Sequence, residues 1–236
     1  MYQRNHIAAI FFDLDDTLCD YSGSVEAAFA AVFPVAAARH ACLDYDRLRR
    51  DFDLVLERAI AHMGGVWAQG YTREDRFREA LAEGGVDDPD LAALMATAYS
   101  WERLYHLQPF DDALPTLDAL RPRYPLGLIT NGPGTEQRAA LQRLGMDDYF
   151  QVVVISGELR VYKPQQEIFQ RALERMGCGA AEAVYVGNDP RLDVAGAKGV
   201  GMGAAWLNRN GGTLPADIPQ PDLEIASLRE LLPLLP

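Results

Sequence analysis

The chain reads as an α/β protein, a Rossmann-like parallel sheet core carrying an inserted all-helical cap subdomain, and three observations point there. In the second half, apolar runs of strand length alternate with helical patterns, which is the rhythm of βαβ units and a parallel sheet. Near the N-terminus, the apolar run Ile7-Ala8-Ala9-Ile10-Phe11-Phe12 stops abruptly at Asp13-Leu14-Asp15-Asp16-Thr17. A near-continuous apolar run suits a central parallel strand, which is covered on both faces. Between these regions the pattern stays helical over residues 21–108, too long for a simple crossover between strands. The expected division is therefore a core of 1–20 and 109–236 and a helical cap of 21–108.

Each element has its own signal. Ser24 to His40 is rich in Ala, with Pro34 as a kink or restart point. Leu48, Phe52, Val55 and Ala59 repeat at helical spacing, as do Leu91, Leu94, Met95, Ala98 and Tyr105, and both stripes read as core contacts. Thr72 followed by Asp75 is spaced to cap a helix holding Phe77 and Leu81. In the core, Tyr124–Thr130, Val152–Ile155, Ala183–Gly187 and Met202–Leu207 are strands, with helices near Thr135–Leu144, Gln165–Met176 and Arg191–Lys198. Gly211 to Pro221 is a loop by its Gly and Pro content, and the apolar end Leu231-Leu232-Pro233-Leu234-Leu235-Pro236 is a packing edge.

Composition narrows the function. The 22 basic against 34 acidic side chains give a net charge of −12, which disfavours nonspecific binding to nucleic acid or an anionic membrane. No apolar run reaches the roughly 20 residues that span a bilayer. Met1-Tyr2-Gln3-Arg4-Asn5-His6 leads into the first strand without a signal-peptide pattern, so a cytoplasmic location is expected. Cys19, Cys42 and Cys178 are odd in number and lack metal-ligand spacing, and read as reduced thiols. Arg73, Arg76, Arg103 and the histidines His6, His40, His62 and His106 are read as packing or solvated side chains.

In open α/β sheets, ligands bind outside the carboxyl ends of the strands, so the residues following each strand bear the chemistry. Asp13 and Asp15, one residue apart, can turn into one crevice, where a cation or a shared proton must offset their charge. A carboxylate beside Mg²⁺ can attack phosphorus to give an aspartyl-phosphate while its neighbour protonates the leaving oxygen and later deprotonates water. Asp13 is assigned the first role and Asp15 the second. Taken alone, Asp15, Asp16 and Thr17 equally suit a strand end that caps the next helix.

Three later strand ends supply partners. At Thr130-Asn131-Gly132-Pro133-Gly134, a hydroxyl and main-chain N–H groups can hold phosphate oxygens, although an Asn-Gly turn with a helix cap is the plainer reading. Lys163, fixed in direction by Pro164, can neutralise both the nucleophile and the phosphoryl group. At Asn188-Asp189-Pro190-Arg191-Leu192-Asp193, oxygen ligands can complete a Mg²⁺ shell with Asp13, the Asp15 carbonyl and water. Alternatively, Asp189 and Pro190 simply start a helix. Each plain reading serves alone, but capping chemistry does not explain all four clusters in this order.

The set resembles the haloacid dehalogenase superfamily of hydrolases, whose phosphatases carry Asp-x-Asp-x-Thr, then Thr or Ser, then Lys, then an acidic metal-binding pair. The matching residues are Asp13, Asp15 and Thr17, then Thr130, Lys163 and the Gly187–Asp193 segment. The likeness covers essentially the whole chain and implies a Rossmann-like core, a helical cap closing over the substrate, and a Mg²⁺-dependent phosphatase acting on a small phosphorylated metabolite. The expected catalytic residues are Asp13, Asp15, Thr130 and Lys163. The expected substrate contacts are Thr130, Asn131, Gly132, Lys163 and Asp16, and the expected metal set is Asp13, Asp15, Asn188, Asp189 and Asp193. One departure stands out: many members have Asp where this chain has Asn188. Either the Asn188 amide ligates the metal, Asp189 takes over, or Asp193 carries more of the load; Asn188 with Asp193 is the preferred pair. A 2-haloacid dehalogenase, a phosphomutase and a catalytically silent ligand-binding homologue are the alternatives. No nucleic-acid polymer or membrane partner is expected, and the chain is expected to be a monomer or homodimer.

Overall fold

A computed structural model describes residues 6–62 and 71–234. The leader-free reading of residues 1–5 and the last two residues of the apolar C-terminal run lie outside the described residues, as does the side chain of His62. The chain divides into two units, Met1–Tyr21 with Gln108–Pro236, and Ser22–Leu107.

In the first unit, β1 (Ala9–Phe12), β2 (Leu126–Thr130), β3 (Val152–Ile155), β4 (Ala183–Gly187), β5 (Gly203–Leu207) and β6 (Leu223–Ile225) form a parallel sheet in the order β3-β2-β1-β4-β5-β6. Every residue of β1, β2, β4 and β5 is buried, which is why these strands read as unbroken apolar runs rather than alternating ones. Gly127 in β2 is small for a packing reason, because an added Cβ would lie 2.4 Å from the Phe11 ring. β1 is central, and the order reverses between it and β4; a crevice opens at such a switch point.

The second unit comprises α1 (Tyr21–Arg39, its first residue at the junction), α2 (Tyr45–His62), α3 (Arg73–Glu83) and α4 (Pro89–His106). Each contributes one ring to a common core: Phe29, Phe52, Phe77 and Tyr99 are all buried, with centroid separations from 4.4 Å for Phe52 and Phe77 to 6.2 Å for Phe29 and Phe77. α1 is long and apolar enough by composition to cross a membrane, yet its Phe29 belongs to this ring cluster and its Glu26 pairs with Arg49 at 2.6 Å. The capping box of Thr72 and Asp75 starts α3, as its spacing predicts. His40 pairs with Asp88, the N-cap of α4, at 2.7 Å.

The remaining helices belong to the first unit: α5 (Ala113–Leu120), α6 (Gly134–Leu144), α7 (Ser156–Leu159), α8 (Gln166–Met176), α9 (Ala195–Gly199) and α10 (Leu231–Leu234). The chain leaves and re-enters this unit side by side, with Asp20 N–H donating to the Gln108 carbonyl and Phe110 N–H to that of Leu18, each at 3.0 Å.

Several expectations need correction. In α4 the core face is Leu91, Met95, Tyr99 and Arg103, whereas Leu94 and Tyr105 are exposed, because successive four-residue steps carry the buried arc away from them. β2 starts at Leu126 rather than Tyr124, since the Tyr124 N–H closes the turn after α5 on Leu120 and Pro125 has none to give. β5 starts at Gly203 because the Met202 N–H is bonded to Ala197. The stretch read as one helix from Arg191 is a wide turn, Pro190–Val194, followed by α9.

Asp112 fastens the C-terminal segment to α5. Its carboxylate accepts from both terminal nitrogens of Arg209 at 2.8 Å, the Ser227 hydroxyl at 2.8 Å and the Leu228 N–H at 2.9 Å. Burial alone would raise the Asp112 pKa, but these donors outweigh it and hold it below the ordinary 3.8. The native carboxyl thus titrates below its unfolded value, so its stabilisation is complete above that value and is lost as pH falls through the native pKa. Asp112→Asn should cost about 1–3 kcal/mol at pH 7. Denaturant unfolding should show the gap to wild type narrowing below about pH 4; a gap unchanged on acidification would count against this anchor.

Candidate active site at the carboxyl ends of the strands

The ladder between β1 and β4 runs one residue past β1, where the Asp13 N–H donates to the Val186 carbonyl at 2.9 Å and fixes Asp13 at the switch point. The side chain meets Lys163, whose Nζ lies 2.6 Å from Asp13 Oδ1, 2.7 Å from Asp193 Oδ1 and 3.1 Å from the Tyr185 hydroxyl. All four groups are buried. An ammonium has three protons, and each has an acceptor here. The main chain of Lys163 is pinned as well: its N–H donates to Asn131 Oδ1 at 2.9 Å and its carbonyl accepts from Asn131 Nδ2 at 3.2 Å. The Lys163–Pro164 bond is cis. Asp193 reaches Lys163 only because position 187 has no side chain; a Cβ on Gly187 would lie 2.3 Å from Asp193 Oδ2.

Thr17 links Asp13 to the β4 end. Its Oγ1 lies 3.4 Å from Asp13 Oδ2 and 3.1 Å from Asn188 Oδ1, and it accepts from the Asn188 N–H at 3.1 Å. Trp206 Nε1 holds the Asn188 carbonyl at 2.9 Å. Asp189 points elsewhere: its Oδ1 caps the following turn, accepting from the N–H groups of Arg191 at 2.7 Å and Leu192 at 2.9 Å. Both oxygens of Asp193 are engaged, Oδ1 by Lys163 and Tyr185 and Oδ2 by the Asp189 N–H. Asp16 stands in the turn after Asp15 with φ of 56°, a left-handed conformation that Asp tolerates better than most residues.

The other carboxylate belongs to a second network. Asp15 Oδ2 accepts from Gln137 Nε2 at 2.9 Å, and the same nitrogen lies 2.7 Å from Thr130 Oγ1 and 3.0 Å from the Asn131 carbonyl. Gln137 is absent from the expected site residues. Its signal was its position, for Gln137 shares the buried face of α6 with Ala140, Leu141 and Leu144, where an amide is out of place without partners. The Gly132 N–H is committed to Ser156 Oγ at 3.0 Å rather than standing open, and the Asn131 side chain is turned to the Lys163 main chain. Gly132 has φ of 144°, and a Cβ there would lie 3.0 Å from the Gln137 side chain.

Burial pushes the Asp13 carboxyl up to about 7, with Asp193 and Asp15 adding to the rise and Lys163 opposing it. Burial alone would lower the Lys163 pKa, but the charges of Asp13 and Asp193 reverse this and keep the ammonium protonated. Burial likewise keeps the Tyr185 phenol protonated. The arrangement therefore offers a buried carboxylate beside a fixed positive charge, and a second carboxylate two residues on.

Comparison with known proteins agrees with this architecture. Residues 7–201 match the family model described as "Hydrolase: haloacid dehalogenase-like hydrolase". The chain is 34% identical over 233 residues to glyceraldehyde 3-phosphate phosphatase of Methanopyrus kandleri, covering 96% of each. It is 31% identical to the crystallised 2-haloacid dehalogenase of Pseudomonas syringae pv. Tomato, with a TM-score of 0.71 over 97% of this chain and 98% of that one. The HAD-hydrolase YfnB of Bacillus subtilis shares the fold at a TM-score of 0.81, with 23% identity over 98% and 99% of the two chains. With its parallel sheet, its helical insertion after β1 and its matched span, the chain belongs to the haloacid dehalogenase-like hydrolases.

Proposed function

We propose that this hydrolase is a Mg²⁺-dependent phosphomonoesterase that acts on a small phosphorylated metabolite, with Asp13 as nucleophile and Asp15 as acid and base. The observation that carries the reading is the pair itself: Asp13 is buried against Lys163 at 2.6 Å, and Asp15 follows in the turn with one oxygen held by Gln137. An oxygen of Asp13 forms a bond to phosphorus while the ester P–O bond breaks, and the leaving oxygen takes a proton from Asp15. Asp15 then removes a proton from water; the oxygen of that water bonds to phosphorus, and the P–O bond to Asp13 breaks. Lys163 is assigned to offset negative charge on the nucleophile and on the phosphoryl oxygens, and the Thr130 hydroxyl to bind those oxygens. The Methanopyrus kandleri phosphatase relative supports the substrate class.

A divalent cation fits the site by charge and by donor chemistry. Asp15 and Asp193 both add negative charge around Asp13, against which Lys163 supplies the opposing positive charge. The groups at hand are oxygens, namely the Asp13 carboxylate, the Asp15 carbonyl and the Asn188 amide, a set that suits Mg²⁺. We assign these three as the holders of the ion. Asp193 serves by fixing Lys163, and Asp189 by capping the turn that follows. When bound, Mg²⁺ supplies positive charge beside the transferring phosphoryl group. Cys19, Cys42 and Cys178 are thiols rather than disulfides, which accords with a cytoplasmic setting.

A second reading, halide release from a 2-haloacid through an ester between Asp13 and carbon, is favoured by the likeness to the Pseudomonas dehalogenase. A halide leaves without a proton and so gives Asp15 no task as an acid, which ranks this reading second.

Assayed against a panel of phosphorylated metabolites with Mg²⁺, the wild-type protein should release phosphate and Asp13→Asn should release none while keeping the wild-type far-UV circular dichroism spectrum. Near-wild-type turnover by that variant, or chloride release from 2-chloropropionate with no phosphate release from any ester, would overturn the assignment. Chelation should stop turnover and added Mg²⁺ restore it; hydrolysis indifferent to chelation would remove the metal from the proposal.

A further inference from the structure

We propose that Gln137 is the positioning residue for Asp15, setting which carboxyl oxygen presents the proton and locking that choice to the Thr130–Asn131 loop. The inference rests on the reading of Asp15 as acid and base, and adds to it a residue outside the motifs of the strand ends. Gln137 is only 2% exposed and stands on the core face of α6. A buried amide without partners is costly, so an apolar residue would serve better there unless the amide has a task.

The geometry defines that task. Gln137 Nε2 lies 2.9 Å from Asp15 Oδ2, 2.7 Å from Thr130 Oγ1 and 3.0 Å from the Asn131 carbonyl. An ionised carboxylate and a carbonyl only accept, so the nitrogen rather than Oε1 must face them, and the amide has one permissible orientation. Its two N–H groups then serve three acceptors, drawing Asp15, Thr130 and Asn131 onto one atom. With Oδ2 held by Gln137, proton transfer is assigned to Asp15 Oδ1, which also accepts from the Cys19 thiol at 3.9 Å. Close approach of the amide depends on Gly132, whose missing side chain leaves room for Gln137 Cγ and Cδ at 3.0 Å. Asn131 also pins the Lys163 main chain, so one amide connects the acid to the strand end that carries the positive charge.

The test compares two esters that differ in how much their leaving group needs a proton. p-Nitrophenolate leaves unaided, whereas phenolate is a poorer leaving group and depends more on the acid. If Gln137 orients Asp15, Gln137→Met and Gln137→Glu should each lose about ten-fold more kcat on phenyl phosphate than on p-nitrophenyl phosphate, and Asp15→Asn should show the same signature. The ratio is internal to each variant, so a partly folded preparation does not alter it. Equal losses on both esters in the Gln137 variants, with the signature kept in Asp15→Asn, would overturn the positioning role alone. Absence of the signature in Asp15→Asn would overturn the acid role and this proposal with it.

Discussion

One buried ammonium organises the carboxyl end of the sheet. Lys163 Nζ stands between Asp13 and Asp193 at 2.6 and 2.7 Å, with the Tyr185 hydroxyl at 3.1 Å as its third acceptor. Taking such charges out of water costs several kcal/mol per ion, and the loss of one partner from a buried pair typically costs 3–5 kcal/mol because the survivor is left uncompensated. The neighbouring residues follow from that constraint. Gly187 is bare so that Asp193 can reach the ammonium, Asn131 clamps the Lys163 main chain through both ends of its amide, and Tyr185 spans from the Ile129 carbonyl to the charge cluster.

Strand order explains why this cluster lies beside Asp15 rather than elsewhere on the sheet. β1 sits between β2 and β4, so the turn after it can be served from both sides. From the β4 side come Asn188 and Asp193, tied to Thr17 and Lys163; from the β2 side come Thr130, Asn131 and, one helical turn into α6, Gln137. Asp13 belongs to the first network and Asp15 to the second. The proposed chemistry asks different things of these carboxylates, one to attack and the other to move a proton, and the fold gives them different partners two residues apart.

Much of this was legible in the chain because its strands are buried on both faces. Val152–Ile155 and Ala183–Gly187 appear with the boundaries their apolar runs suggest, and the residues after β1, β2 and β4 converge as parallel strand ends must. β6 escaped notice because it has only three residues and exposes Glu224. The α4 stripe does not match the buried face because Leu94 and Tyr105 are apolar yet exposed, and hydrophobicity alone does not say which arc of a helix is covered. Asp189 carried two readings, and its side chain follows the capping one. Gln137 was hidden for the opposite reason: its helical position marks it as core, and only the meeting of α6 with the turn after β1 reveals what its amide is for.

The most direct measurement is to find where the phosphoryl group rests during turnover. Wild-type protein mixed with p-nitrophenyl phosphate and Mg²⁺, quenched in acid within a single turnover and digested, should yield one peptide bearing a phosphoryl group on Asp13, absent from Asp13→Asn. Phosphate release during that turnover with no covalent phosphoenzyme, or with the group on any other residue, would contradict Asp13 as the nucleophile.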